Sequence, residues 1–221
     1  MLRDRMERVE ARIGASASRA GRRREEITLL AVTKTFPAEV IAESYALGLR
    51  DFGENYVQEF EAKTLPEALP AARFHLIGHL QANKSNRAAE LFDVIQTVDS
   101  VRLARRLNDA PRRRAQPLEV LIEVKLSGES AKSGVEPEHV AALADALAAL
   151  PNLRLTGLMT MPPWSDEPET SRPFFRRLRD LAAGLGLPRL SMGMSHDLEV
   201  AIEEGATMVR VGTALFGTRE P

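Results

Sequence analysis

The feature that most constrains this chain is a repeated alternation of short apolar segments with amphipathic stretches. Each apolar segment has the composition of a β-strand and ends in polar residues, and residues at helical spacing follow it. Alternation of this kind predicts a parallel sheet, because parallel strands need crossover connections. The predicted strands cover residues 27–32, 51–54, 73–77, 94–98, 118–124, 153–159, 190–194 and 208–211.

Eight such units in 221 residues match the size of a (β/α)8 barrel. A doubly wound sheet such as the Rossmann fold is the main alternative, but it usually needs fewer strands, and no GxGxxG motif follows the first strand. An extra helix is predicted over residues 2–20, where apolar residues from Leu2 to Ile13 recur at helical spacing. We therefore predict one α/β domain over residues 1–221, a single TIM-type (β/α)8 barrel with an N-terminal helix.

Composition excludes several classes of function. Lysine and arginine total 30 against 31 acidic residues, so neither nucleic-acid nor membrane binding is expected. The arginine triplets at 22–24 and 112–114 lack interleaved aromatics and are predicted to be solvated surface, which leaves RNA binding a weak alternative. The absence of cysteine excludes disulfides, and the four histidines lack ligand-like spacing, so no metal is predicted. With a charged N-terminus and no apolar run of transmembrane length, the protein is expected to be cytoplasmic.

The first predicted strand ends on a lysine. Residues 27–37, ITLLAVTKTFP, form an almost unbroken apolar run that turns polar around Lys34 and is stopped by Pro37. Chemistry in parallel α/β folds lies at the carboxyl ends of the strands. Lys34 is therefore a candidate to form a Schiff base with a carbonyl compound. A lysine that simply leaves the strand and enters water would give the same pattern.

The loops after the last two predicted strands carry glycine and hydroxyl residues. In barrels, a phosphate often lies between these two loops, at the N-terminus of a short helix. Either loop alone is better explained by a turn glycine or a helix cap, but the two together predict a phosphate site. The proline-rich loop 164–173, which contains Trp164, could act as a lid over such a site. The phosphate motifs are Gly193, Met194, Ser195 and Gly212, Thr213, Ala214.

A lysine and a phosphate site on one barrel face suggest either a phosphosugar aldolase or isomerase, or a pyridoxal phosphate site. Arg210, near the end of the eighth strand, helps to distinguish between these two classes of site. A guanidinium beside the pyridine nitrogen keeps that nitrogen unprotonated, so the arginine suits the second class. An ion pair with a strand-end acid is the alternative role for Arg210. An aldolase with a Schiff-base lysine would show no chromophore in the isolated protein.

Seven motifs occur in order between residues 29 and 217: AVTKTFP, DFGENYVQE, FHLIGHLQANK, KSGV, GLMTMPP, LSMGMSHD and TMVRVGTALFG. Together they resemble the pyridoxal phosphate homeostasis proteins of the YggS/PROSC type. The resemblance implies a barrel similar to that of alanine racemase, with pyridoxal 5′-phosphate held covalently on Lys34 as an internal aldimine. It also implies the other cofactor-binding residues: Ser195, Gly212 and Thr213 at the phosphate, Arg210 at the pyridine nitrogen, and Asn55 and Met192 near the ring.

Two positions depart from the pattern of that family. Lys125 stands where asparagine is frequent, and Ala206 stands where serine is frequent. Lys125 leaves open whether a second amine reaches the cofactor. Ala206 is expected to be neutral.

Racemases with such a barrel add a second domain that supplies an opposing base, usually a tyrosine. Here Pro221 comes directly after the eighth unit, and the tyrosines are Tyr45 and Tyr56, so a two-base proton shuttle is predicted to be incomplete. The resemblance implies intracellular pyridoxal phosphate homeostasis and supply, and amino-acid balance, without robust catalysis. It further implies a monomer, with pyridoxal phosphate-dependent apoenzymes as possible partners. The alternative is a low-turnover pyridoxal phosphate-dependent amino-acid racemase.

Overall fold

Parallel strands form a closed barrel. A computed structural model describes residues 1–65, 69–111, 116–127 and 133–217. Within these residues each strand pairs with the next in chain order, and the eighth pairs with the first. The predicted (β/α)8 barrel is thus confirmed. The strands are β1 (Thr28–Val32), β2 (Asp51–Glu54), β3 (Arg73–Leu76), β4 (Val94–Val98), β5 (Leu118–Glu123), β6 (Leu153–Met159), β7 (Arg189–Met194) and β8 (Met208–Val211).

Among the described residues, one α-helix precedes β1 and a further α-helix follows each strand. The helix that follows β4 is capped by Ser100, whose hydroxyl oxygen accepts the Leu103 N–H at 3.3 Å. None of the helices in the described part of the chain is both long and apolar enough to cross a membrane. The helices are α1 (Leu2–Arg19), α2 (Ala38–Ala46), α3 (Val57–Ala62), α4 (Ser85–Leu91), α5 (Val101–Asn108), α6 (Val140–Ala148), α7 (Arg172–Gly184), α8 (Leu198–Glu203) and α9 (Thr213–Phe216).

Alternation along each strand separates the barrel interior from the layer beneath the helices. In β5, Leu121 packs with Met159 inside the barrel, whereas its neighbour Ile122 belongs to the larger apolar layer outside. Successive strand side chains point to opposite faces. The same alternation puts Glu119, near the start of β5, and Glu123, at its end, on the inside.

The arginines at 22–24 were predicted to be solvated, and for two of them the structure shows otherwise. Arg22 donates to the backbone carbonyl oxygens of Ala206 at 2.8 Å and of Ile202 at 3.2 Å. Arg24 forms an ion pair with Glu10 of α1 at 2.6 Å. These arginines therefore tie α1 to the barrel, a long-range role that a local charge pattern does not reveal. The second triplet, at 112–114, lies outside the described residues.

Candidate functional site

A cavity of about 670 Å³ opens at the carboxyl ends of the strands. Loops that follow β1, β2, β3, β5, β6, β7 and β8 contribute to its wall. A cavity of this volume is typical of small-molecule and cofactor sites. The structure brings six of the seven residues predicted to bind a cofactor into this wall: Lys34, Asn55, Ser195, Arg210, Gly212 and Thr213.

Lys34 lies just beyond β1, at the start of a tight turn. The next residue, Thr35, has a φ of 66°, a left-handed conformation that is uncommon outside glycine. A Glu59 carboxylate oxygen accepts the Thr35 backbone N–H and so supports the turn. Val32 and Phe36 also line the cavity, which places the half-buried lysine side chain beside an apolar wall.

The two loops predicted to hold a phosphate meet at Ser195. The Ser195 hydroxyl oxygen accepts the backbone N–H of Ala214 at 3.2 Å and thereby joins the β7 loop to α9. Gly212 precedes α9 and Thr213 begins it, and both line the cavity. Backbone N–H groups at a helix N-terminus favour an anion, and glycine allows it to approach closely.

Two neighbouring elements hold the Ser195 loop in place. The buried Asp197 carboxylate accepts the Met194 N–H at 2.7 Å and the Ser171 hydroxyl at 3.0 Å. Arg12 of α1 donates to the Ser195 carbonyl oxygen at 2.9 Å. The N-terminal helix therefore does more than cover the barrel, because it contacts a loop of the cavity directly.

Arg210 is a buried cation in the cavity wall, with only 3% of the residue exposed. Its two terminal nitrogens donate to the Ser191 hydroxyl oxygen and to the Thr160 carbonyl oxygen, each at 2.9 Å. Burial lowers the pKa of Arg210 to about 10, and the charges of Asp197 and Glu123 partly oppose this shift. Arg210 is therefore still charged at neutral pH, and its hydrogen bonds within the described residues go to neutral groups.

Across the barrel from β7 and β8, acidic groups line smaller pockets beside the main cavity. Glu123 is buried at the end of β5, and the hydroxyl of Ser133, which lines the cavity, donates to its two carboxylate oxygens at 3.0 and 3.1 Å. Burial raises the pKa of Glu123, and the nearby Asp99 charge raises it further. His79 also lines the cavity, 3.7 Å from Asp99. Sequence reasoning missed Glu123 as a neighbour of the cavity, although an acid at the end of an apolar strand was the available signal.

Met192 does not face the cavity. It is fully buried in the apolar layer between strands and helices, because Ser191 beside it points into the barrel and alternation turns Met192 outward. Met194 lines the cavity instead. The register between β7 and β8 shifts between Ser191 and Met194, where Gly193 has a φ of 88°.

Lys125, the possible second amine, follows β5 and forms an ion pair with Glu136 at 3.2 Å. It lines a smaller pocket of about 190 Å³ rather than the main cavity. The two spaces share Ser133 and Met161 in their walls. Lys125 is thus adjacent to the site without forming part of the main cavity wall.

The loop after β6 contributes an exposed aromatic side chain to the cavity wall. Trp164 lines the cavity and is 70% exposed. Its ring packs on the ring of His196, with 4.7 Å between centroids, and a ring nitrogen of His196 is hydrogen bonded to the Asp166 carbonyl oxygen at 3.0 Å. The loop predicted to act as a lid therefore contacts the loop that carries Ser195.

Comparison with known proteins gives consistent results across sequence and structure. The family model described as alanine racemase, N-terminal domain, matches residues 6–220. The pyridoxal phosphate homeostasis protein of Pseudomonas aeruginosa is 48% identical over 215 residues, covering 96% of this chain and 94% of that protein. The protein of the same name from Aquifex aeolicus is 46% identical over 225 residues and covers 98% of each chain.

Similar solved structures include PipY of Synechococcus elongatus with pyridoxal phosphate bound. It has a TM-score of 0.80 and 38% identity, and the match covers 93% of this chain and all of that one. Alanine racemase from Corynebacterium glutamicum, at 24% identity and a TM-score of 0.69, shares the fold, and the match covers 96% of this chain and 61% of that one.

Proposed function

This chain belongs to the pyridoxal phosphate homeostasis proteins, within the alanine racemase N-terminal domain family, and we propose that it binds pyridoxal 5′-phosphate covalently on Lys34. One observation carries the proposal. Lys34, the buried cation Arg210 and the Ser195–α9 junction line a single cavity at the carboxyl ends of the strands. An amine, a fixed positive charge and an anion site correspond to the aldehyde, pyridine nitrogen and phosphate of this cofactor.

The residues present fit each part of the cofactor. The Lys34 amine would hold the cofactor through its aldehyde, with loss of water. Ser195, Gly212 and Thr213 would hold the phosphate through hydroxyl and backbone donors. Arg210 would lie toward the pyridine nitrogen and, because it remains charged at neutral pH, would disfavour protonation there.

We further propose that the protein stores and supplies the cofactor rather than turning over a substrate. No tyrosine contributes to the cavity wall formed by the described residues, and Tyr56 near β2 is 61% exposed. A proton shuttle needs groups on both faces of the substrate carbon. The homeostasis proteins named above support the same role. We propose a cytoplasmic monomer that delivers the cofactor to apoenzymes, with Asn55 contacting the ring.

A low-turnover amino-acid racemase is the second candidate, because His79 lines the cavity near Asp99 and could move a proton. Prolonged incubation with single L-amino acids, followed by chiral analysis, distinguishes the two functions. The supply role predicts no accumulation of D-isomer above the level given by free cofactor. Sustained turnover by the wild type that is lost in Lys34→Ala would establish the racemase.

The proposed linkage is tested by absorption spectroscopy with borohydride reduction. Wild-type protein loaded with pyridoxal phosphate should show an absorption band that borohydride removes, leaving the cofactor permanently attached to the peptide that contains Lys34. Lys34→Ala should lose both the band and the attachment. Lys84→Ala, which changes a lysine at the start of α4 outside the cavity wall, should keep both. Attachment to another lysine, or none, would overturn the proposal.

A further inference from the structure

A row of polar side chains crosses the barrel interior from Arg210 to Asp51. The Arg210 guanidinium lies 2.9 Å from the Ser191 hydroxyl oxygen, which lies 2.6 Å from the Gln96 amide oxygen. The Gln96 amide nitrogen lies 2.9 Å from His75 Nδ1, and His75 Nε2 lies 2.9 Å from an Asp51 carboxylate oxygen. Ser191, Gln96 and His75 are completely buried. Four hydrogen bonds therefore connect the cavity wall to the opposite end of the barrel.

The chemistry of the two ends fixes the direction of every hydrogen bond in this row. Arg210 can only donate, and the Asp51 carboxylate can only accept. Between them Ser191, Gln96 and His75 each accept one hydrogen bond and donate the next. Because the Asp51 carboxylate accepts from His75 Nε2, a neutral His75 has a bare Nδ1 that accepts from the Gln96 nitrogen. The Gln96 oxygen is then left to accept from the Ser191 hydroxyl, whose own oxygen accepts from Arg210. His75 is then the neutral tautomer that carries its proton on Nε2.

Reversing the central amide would break the row at its histidine end. A flipped Gln96 would present its nitrogen to Ser191 and its oxygen to His75 Nδ1. The histidine would then need its proton on Nδ1, and its bare Nε2 would face the Asp51 carboxylate. Burial favours the neutral ring, since it lowers the pKa of His75 while Asp51 only partly opposes the shift. A neutral ring cannot satisfy both neighbours in the flipped arrangement.

We infer that Asp51, His75 and Gln96 are positioning residues, which act through Ser191 to hold Arg210 in the orientation that receives the cofactor. The inference rests on the proposed function for the identity of that cofactor. The Ser191 oxygen holds one terminal nitrogen of the guanidinium, and the Thr160 carbonyl oxygen holds the other. Two fixed acceptors define the plane of the guanidinium, and therefore the direction in which its charge faces the cavity.

The first test needs no cofactor and no variant. Nitrogen NMR of the isolated protein should show His75 with a protonated Nε2 and an unprotonated Nδ1, unchanged between about pH 6 and pH 8. A proton on Nδ1, or a doubly protonated ring in that range, would overturn the inferred direction of the row.

The second test removes the hydrogen bond between Arg210 and Ser191. Ser191→Ala should raise the Kd for pyridoxal phosphate about tenfold, as expected when a charged group loses a buried partner. Thr156→Val is the matched control, because it removes a buried hydroxyl bond of 3.1 Å to Glu119 inside the same barrel but outside the row. In this control the Kd should stay within about twofold of wild type.

A spectroscopic signature separates positioning from a general loss of stability. Binding of pyridoxal phosphate to the wild type and to Thr156→Val should shift the ring nitrogen signals of His75. The same addition to Ser191→Ala should leave them unchanged, because the connection to Arg210 is cut. If the wild type binds pyridoxal phosphate and Ser191→Ala matches Thr156→Val in its Kd and in its His75 nitrogen signals, the positioning role is wrong. The proposed function would still stand in that case. If the wild type binds no cofactor, both are wrong.

Discussion

The two ends of β5 place a carboxylate in the barrel interior under opposite conditions. At the N-terminal end, Glu119 is surrounded by three arginines, Arg189 at 2.7 Å, Arg73 at 2.9 Å and Arg154 at 3.1 Å. At the C-terminal end, Glu123 is buried to a similar degree, and its hydrogen bonds within the described residues come from the Ser133 hydroxyl.

The difference shows that the two ends of one strand give a buried carboxylate contrasting electrostatic surroundings. The charge of Glu119 is matched by more cations than it needs, so removing it would leave arginines facing each other. The charge of Glu123 lacks such compensation, and its raised pKa reports that burial disfavours the ionised form. In barrels of this kind, the N-terminal face is the stabilising end and the C-terminal face carries the site.

The largest effect on this comparison is expected from Glu119→Leu, which tests whether the N-terminal end of β5 contributes to stability. We expect a loss of about 3 kcal/mol in the free energy of unfolding, because three arginines would lose their common partner. Affinity for pyridoxal phosphate should be unchanged, since Glu119 lies at the other end of the barrel. Urea denaturation and cofactor titration measure the two quantities. Arg154→Leu is the control and should lose at most about 1 kcal/mol, because the Arg154 side chain is 61% exposed.

Arg210→Met should give the reverse pattern. Removing a charge whose burial lowers its pKa to about 10 relieves a desolvation penalty, which offsets the two lost hydrogen bonds. Stability should therefore stay within about 1 kcal/mol of wild type. The Kd for pyridoxal phosphate should rise roughly 30-fold, equivalent to about 2 kcal/mol. A large loss of stability with unchanged affinity would place Arg210 among the structural arginines instead.

The sequence predicted what depends on local pattern. Apolar runs that end in polar residues located the strands, and the carboxyl ends of parallel strands must share one face, so Lys34, Ser195 and Arg210 were correctly predicted to meet. Side-chain direction was harder to predict, since it depends on register. Ordinary alternation from Ser191 turns Met192 outward, and the one-residue irregularity near Gly193 brings Met194 into the cavity wall.

Sequence patterns did not predict the hydrogen bonds and ion pairs between residues that are distant in the chain. Arg22 and Arg24 belong to one charged triplet, yet they bond to different and distant elements. The partners of Glu119 come from three other strands, β3, β6 and β7, and only closure of the barrel brings them together. The sequence shows which residues are charged but not which will be buried together. It therefore could not predict that arginines compensate the charge of Glu119 but not that of Glu123.

Glu123→Gln tests the comparison through the pH dependence of the free energy of unfolding. Burial raises the pKa of Glu123 in the folded state above the 4.5 of an unperturbed glutamate, so the folded protein binds more protons than the unfolded chain above that pH. Ionisation of Glu123 therefore lowers stability as pH rises through the folded-state pKa. Glu123→Gln should be more stable than wild type by about 1 kcal/mol at mildly alkaline pH. The advantage should shrink as pH falls toward 4.5, and urea denaturation across this range measures it.

The smallest effect is expected at the cavity mouth, where Trp164 is the single tryptophan of the chain. Because its ring lines the cavity and packs on His196, pyridoxal phosphate binding should change tryptophan fluorescence, whereas inorganic phosphate alone should change it little. Trp164→Phe keeps an aromatic contact with His196, so the Kd should rise by no more than about threefold. A tenfold rise would mean that the loop after β6, and not only the strand ends, supplies binding energy at the C-terminal end of the barrel.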